Sequence, residues 1–226
     1  MPNPSGGLCG TLDLQGNTME ILRGYNIKNR KGLSHWESLL EEWLLVTERY
    51  CRIMGGEDAP FWYNERSNIG LLAGASWRCG RISLEEFQIT KGYRNKPKKH
   101  GRSDLWMALE DGREELIEAK FKWISLHSKD LSSVVNEALD RAMNDAKKAR
   151  GNDEDTKAIG IGFFPVYVTK NKVHEIDSII SSMINQFLEL EYHSLAWSFP
   201  EEIRQHISSK DNVVPGVFMV ARNIDY

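Results

Sequence analysis

Asp104, Glu118 and Lys120 lie within GRSDLWMALEDGREELIEAKFKW, residues 101–123, where apolar and polar residues alternate on both sides of Asp111-Gly112. That pattern reads as two half-buried strands joined by a tight turn. Two carboxylates on such strands would bind a divalent cation, with the ammonium as a further positive charge beside it, provided that the loop length lets them meet. A two-residue Asp-Gly loop pairs Glu110 with Arg113, sets Asp104 opposite Ala119 and turns Glu118 and Lys120 to the other face. A three-residue loop Glu110-Asp111-Gly112, with Gly112 in the left-handed region, pairs Leu109 with Arg113 and therefore Asp104 with Glu118, with Lys120 diagonal on the same face. Opposed side chains then lie about 4.5–5.5 Å apart at Cβ, where two carboxylates share a cation more readily than both stay ionised without one. The three-residue loop is the register a site requires.

Hard oxygen ligands with no His or Cys cluster nearby point to magnesium or manganese rather than zinc. Such an ion suits a substrate carrying phosphate. Lys91, Arg94, Lys96, Lys98, Lys99 and Arg102, with His100 and no acid among them, run up to Asp104 and read as a contact for a phosphodiester backbone. A solvated loop turning at Pro97 is the plainer alternative.

The surrounding pattern supplies the elements. Residues 1–33 are rich in Gly, Asn and Pro and read as a loosely ordered lead-in with at most a short strand, and residues 34–226 read as a single domain. Ser34 and Glu37 form a capping-box signature before a helix whose apolar positions run from Trp36 to Tyr50 and stop at Gly55-Gly56. Asn64 caps a second helix beginning at Glu65 and ending at Gly80. A strand RISLEEFQIT, the hairpin, a helix over 131–150 and a strand KAIGIGFFPVYVT buried on both faces follow. The extension 170–226 adds a helix, a short SLAWSF strand, a helix started by Pro200 and a last strand GVFMVARN. The seven tryptophans read mostly as core by their spacing, with Trp62 and Trp106 as the two that could reach a nucleic-acid base, although core is the preferred reading for them too.

Asp104, a gap of thirteen residues and Glu118-Ala119-Lys120, set in the order helix, three strands, helix, strand over residues 64–169, resemble the PD-(D/E)XK nuclease superfamily. The resemblance covers nearly half of the chain and implies an α/β fold, a mixed central sheet flanked by helices with a restriction-endonuclease-like core. It implies Asp104 and Glu118 as metal ligands, and Lys120 as the residue that orients the attacking water and stabilises charge on the phosphate. It also implies a glutamate on the first helix, which Glu65 matches. An acid in the first helical turn is equally favoured by the helix dipole, and Glu85 and Glu86 compete for the role. Ser103 stands where many members have proline. The expected activity is a magnesium- or manganese-dependent nuclease on DNA, duplex first, with RNA as an open second substrate and a homodimer possible. A binding or interaction module that keeps the fold without cleaving is the alternative.

A net charge of −3 gives no global attraction to nucleic acid or anionic lipid, so a polyanion needs a local basic patch. Cys9, Cys51 and Cys79 form no CxxC pair and suit a reducing cytoplasm. The N-terminus lacks a signal-peptide pattern, and IGIGFFPVYV falls short of the ~20 apolar residues that span a bilayer, so no membrane association is expected.

Overall fold

The computed structural model describes residues 22–28, 32–91, 99–151, 153, 155–204, 206–208 and 211–224, with the backbone alone for Thr90, Lys91 and Lys99. Eight strands form one mixed sheet: β1 (Arg23–Ile27), β2 (Ile82–Lys91), β3 (Lys99–Ala108), β4 (Glu114–Phe121), β5 (Ile124–Ser125), β6 (Lys157–Thr169), β7 (Ser194–Ser198) and β8 (Asn212–Asn223). Their order is β1-β7-β8-β6-β4-β3-β2, with β5 continuing beside β6 beyond the end of β4. β4 and β5 run parallel to β6 and every other pairing is antiparallel. The parallel step needs a crossover, and α3 (Leu131–Arg150) supplies it.

Two apolar layers enclose the sheet. α1 (Glu37–Ile53) and α2 (Glu65–Arg78) cover the face carrying Leu105, Ile117, Ala119, Ile161 and Phe163. α3 and α4 (Ile176–Glu189) cover the other, with Phe164, Val166, Phe187 and Phe218. The fold is therefore the expected α/β arrangement of a mixed sheet between helices. β6 is buried from Ala158 to Val166, as a strand covered on both faces must be.

Glycines decide how closely α3 lies on the sheet. A Cβ at Gly160 would meet the Met143 backbone nitrogen at 2.6 Å, and one at Gly162 would meet Phe164 and the Leu139 side chain at 2.3 and 3.4 Å. In the β4–β6 ladder these two glycines stand beside Glu118 and Lys120. The helix is thus brought down over the two charged residues of β4. Pro165 has no N–H to give, and opposite it the ladder breaks: β4 ends across from Phe163 and pairing resumes at Ile124↔Val166. The break leaves Lys122 and Trp123 exposed.

Two expectations need correction. Ser34–Trp36 is a 3-10 turn, the α-helix starts at Glu37, and no side chain caps it, so the Ser34–Glu37 capping box does not form. Trp36 is instead pulled inward, and its indole N–H donates to the fully buried Glu115 at 3.0 Å. The segment after Pro200 is a 3-10 turn, Glu201–Ile203, rather than a helix; Ile203 is its only buried residue, too little apolar surface to hold a longer one. The short strand allowed for the lead-in is present: Arg23–Ile27 pairs with β7 as an edge strand.

Glu115 ties β4 to the turn before α1 and to the residue before β2. His35 Nε2 lies 2.6 Å from its carboxylate, Arg81 Nη1 lies 3.5 Å away, and Arg81 also donates to the His35 carbonyl at 2.6 Å. Glu115→Ala leaves the buried Arg81 without its counter-ion, for an expected loss of about 3–5 kcal/mol in chemical denaturation, most of it recovered in Glu115→Leu/Arg81→Met. Equal stabilities for the single and double variants would remove the ion pair as the cause. Gly160→Ala should cost about 1–3 kcal/mol, since the clash is with backbone and only a shift of α3 relieves it; an unchanged unfolding midpoint would show that α3 is not held down here.

Candidate functional site

The hairpin adopts the three-residue loop. Leu109 and Arg113 face one another, with the Leu109 N–H on the Arg113 carbonyl at 3.0 Å, and Gly112 has φ 83°. The ladder runs Ala108↔Glu114, Met107↔Glu115, Trp106↔Leu116 and Leu105↔Ile117, and carried one residue past its last pair this register would set Asp104 at the level of Glu118 on the same side of the sheet. The expected register is present. Pairing ends at Leu105↔Ile117, however, while β3 continues beside β2 to Lys91↔Lys99.

Where β3 leaves β4, side chains take over the backbone groups. The buried Ser103 hydroxyl donates to the Ile117 carbonyl at 3.0 Å, Asp104 Oδ2 accepts from the Ala119 N–H at 2.7 Å, and Glu65 accepts from the Phe121 N–H. A buried peptide group must find a partner, and here two of the partners are the carboxylates singled out from sequence. Ser103, where a proline was the familiar residue, thus supplies a donor that proline lacks.

Glu65 enters from the first turn of α2, whose start is set by Asn64: its side chain accepts from the Ser67 N–H at 3.1 Å. Burial raises the Glu65 pKa, Lys120 opposes the rise and Asp104 adds to it, so the three groups feel one another. Lys120 Nζ lies 3.0 Å from Asp145 on α3 and donates to the Ala119 carbonyl at 2.9 Å. Burial works against its ammonium, but the Asp145 hydrogen bond and the charges of Asp145, Glu65 and Asp104 leave its pKa raised. Glu118, pointing from the same face as Lys120, is only 4% exposed.

The competitors are near as well. Glu65, Glu85, Glu86 and Asp104 line one open cleft of about 340 Å³ with Arg66, Asn64 and Ile69. Glu86 is committed to Arg66 at 2.6 Å and to Arg102 at 3.4 Å, which lowers its pKa chiefly through the Arg66 hydrogen bond. Its φ of 51° interrupts the β2–β3 ladder opposite Asp104, between Glu85↔Leu105 and Phe87↔Ser103. Glu65 has Asp104 and Lys120 as electrostatic partners, whereas Glu86 is taken up by the two arginines.

Of the basic residues, Arg102 is exposed and paired with Glu86. Lys91 and Lys99 are paired through backbone, while their side chains and Arg94, Lys96 and Lys98 lie outside the described residues. Asp145 was not anticipated, although a signal exists: it falls in the helical phase of Ala138, Leu139, Ala142 and Ala146, an acid on an apolar stripe. Trp106 is stacked on Phe87, with its N–H on Glu114. Among the described residues no three His, Cys, Asp or Glu side chains close on one point as a metal cage. The donors at hand are carboxylate oxygens, and Asp104 and Glu65 each keep lone pairs beyond the N–H they accept, which is the donor type a magnesium or manganese ion takes.

Compared with family models, with curated proteins and with solved structures, the chain matches none. No helix among the described residues is long and apolar enough to cross a membrane.

The raised Glu65 pKa gives a test of burial. The folded chain holds that proton more tightly than the unfolded one, so this group's contribution to stability falls as pH rises from the ordinary carboxylate range, about 4.3, through the raised value. Glu65→Gln keeps an acceptor for Phe121 and removes the buried charge. Its melting temperature should equal or exceed that of the unchanged protein at neutral pH, with the advantage vanishing near pH 4; a deficit confined to neutral pH would mean that the Lys120 attraction outweighs burial.

Proposed function

We propose that the chain is a metal-dependent nuclease of the PD-(D/E)XK type, with a restriction-endonuclease-like core over residues 64–169, that hydrolyses phosphodiester bonds in DNA within the cytoplasm. The observation carrying this reading is the hairpin register, which carried one residue past its last pair would set Asp104 level with Glu118 on one face with Lys120 beside them. The order α2, β2, β3, β4, α3, β6 and the approach of Glu65 support it. The free thiols of Cys51 and Cys79 agree with a reducing compartment.

Asp104, Glu118 and Glu65 would hold the ion, which when bound lowers the pKa of a water and offsets charge on the phosphate. Lys120, kept protonated by Asp145, presents a fixed positive charge where the phosphate's negative charge grows and helps to orient the water. Water adds to phosphorus, the P–O ester bond breaks, and the departing oxygen takes a proton. Lys91, Arg94, Lys96, Lys98, Lys99 and Arg102 serve the flanking backbone in this reading.

The second reading, a module that binds without cleaving, is favoured by Lys120 being occupied by Asp145 and the Ala119 carbonyl, and by an acidic cleft on a chain of net charge −3. Incubation with plasmid, linear duplex and single strands in magnesium or manganese separates them. Lys120→Ala and Asp104→Ala should each lower cleavage by at least about 10²-fold, with heat of manganese binding lost in Asp104→Ala/Glu118→Ala. Cleavage surviving both single variants would sink the nuclease reading, and metal binding without cleavage would favour the module.

A further inference from the structure

Beside the carboxylates lies a second hollow, of different chemistry. Trp62, Trp123, Tyr167, His206, Ser208 and Asn212 line a cleft of about 480 Å³, within the range of small-molecule sites. Its walls grow out of the charged site. Trp62 precedes Glu65 by three residues, in the 3-10 turn Pro60–Trp62 that leads into α2. Trp123 follows Lys120 by three, in the stretch that leaves the ladder opposite Pro165. Phe121 joins the two: its N–H is held by Glu65, and its ring meets Trp123 edge-on at 5.6 Å.

The rings are set rather than loose. The Trp62 indole N–H donates to the Val214 carbonyl at 3.2 Å, and His206 lies against the same indole at 5.0 Å and 34°. Trp123 is 37% exposed, a large aromatic surface left to solvent at the mouth. Flat apolar walls with two hydroxyls and an amide, and with no acid, lysine or arginine among the described lining residues, match an uncharged aromatic heterocycle better than a phosphate.

We propose that this cleft seats one nucleobase of a single strand whose phosphate lies at the carboxylate site. A base inside a duplex cannot reach such a hollow, so the bound strand is single-stranded, frayed or flipped at that nucleotide. This rests on the nuclease reading for the neighbouring phosphate and narrows its substrate from duplex DNA to DNA with an unstacked base.

The test measures binding with cleavage suppressed. Fluorescently labelled twelve-nucleotide thymidine strands, the same strands with a central run of abasic sites, the matching duplex, and thymidine monophosphate as competitor are titrated in EDTA, by anisotropy. The single strand should bind more tightly than the duplex and the abasic strand. Trp123→Ala should weaken single-strand binding by about 5- to 150-fold, the range for one stacked base, while leaving abasic-strand binding unchanged, and Trp123→Phe should restore most of it. Because Trp123 stands at the surface, circular dichroism of Trp123→Ala should match the unchanged protein. Equal affinity for normal and abasic strands, no effect of Trp123→Ala, or no binding of any strand would overturn the proposal. Competition by the monophosphate at the strand's own concentration would overturn it too, by making the cleft a site for free nucleotides. The nuclease reading fails separately: Trp123-dependent binding without metal-dependent cleavage sinks that reading alone, and Lys120-dependent cleavage with Trp123-independent binding sinks the base seat alone.

Discussion

The parting of β3 from β4 after Leu105↔Ile117 is the constraint around which the site is built. A strand that loses its neighbour leaves peptide groups that must be paired or hydrated, and in a half-buried position pairing wins. Ser103, Asp104 and Glu65 provide it, on Ile117, Ala119 and Phe121 in turn. The acids are thus gathered by the needs of the backbone before any ligand is considered, and each keeps acceptor capacity to spare. Opposite Asp104 the same stretch carries Glu86 at φ 51°, a conformation costing about 1–3 kcal/mol in a residue with a Cβ, held by Arg66 and Arg102. Strain and unpaired backbone coincide within one layer of the sheet.

The next layer follows from side-chain volume. Gly160 and Gly162 stand beside Glu118 and Lys120, and their missing side chains let α3 approach until Asp145 meets Lys120. An ammonium among Asp145, Glu65 and Asp104 stays charged despite burial, and Asp145 keeps its own charge for the reciprocal reason. Beyond it, Pro165 ends the ladder and frees Lys122 and Trp123. One strand, β6, therefore sets the lysine's environment with two glycines and the aromatic cleft with one proline.

Local features were legible in the sequence and long-range ones were not. Asp111-Gly112 marked the hairpin turn but left two registers open, since both loop lengths put Gly112 at positive φ, and residue parity carries Asp104 to Glu118's face only in the three-residue loop. Asn64 capped α2 because its acceptor sits three residues from a free N–H, and residues 131–150 and 157–169 match α3 and β6 because their apolar periods are unbroken. The Ser34 cap failed since Glu115, about eighty residues away in the chain, draws Trp36 inward, and no local signature encodes that partner. Asp145 and Trp123 were missed for a similar reason: an acid on a helix and a tryptophan after a strand acquire meaning only from what the fold lays against them. The tryptophans expected to be core divide accordingly, with Trp36 and Trp43 buried and Trp123 at the surface.

Electrostatics then divides the work between the two hollows. The carboxylate cleft sets four acids against Arg66, so a phosphate approaching it meets repulsion that Lys120, already paired with Asp145, offsets only in part. Net charge offers no long-range help at −3. A stacked base is indifferent to that field, because its attraction to an indole comes from contact area and dispersion, neither of which salt screens. In the proposed reading the aromatic cleft therefore contributes affinity where the carboxylates withhold it, and the acids are left to act on the one phosphate that the base has brought to them.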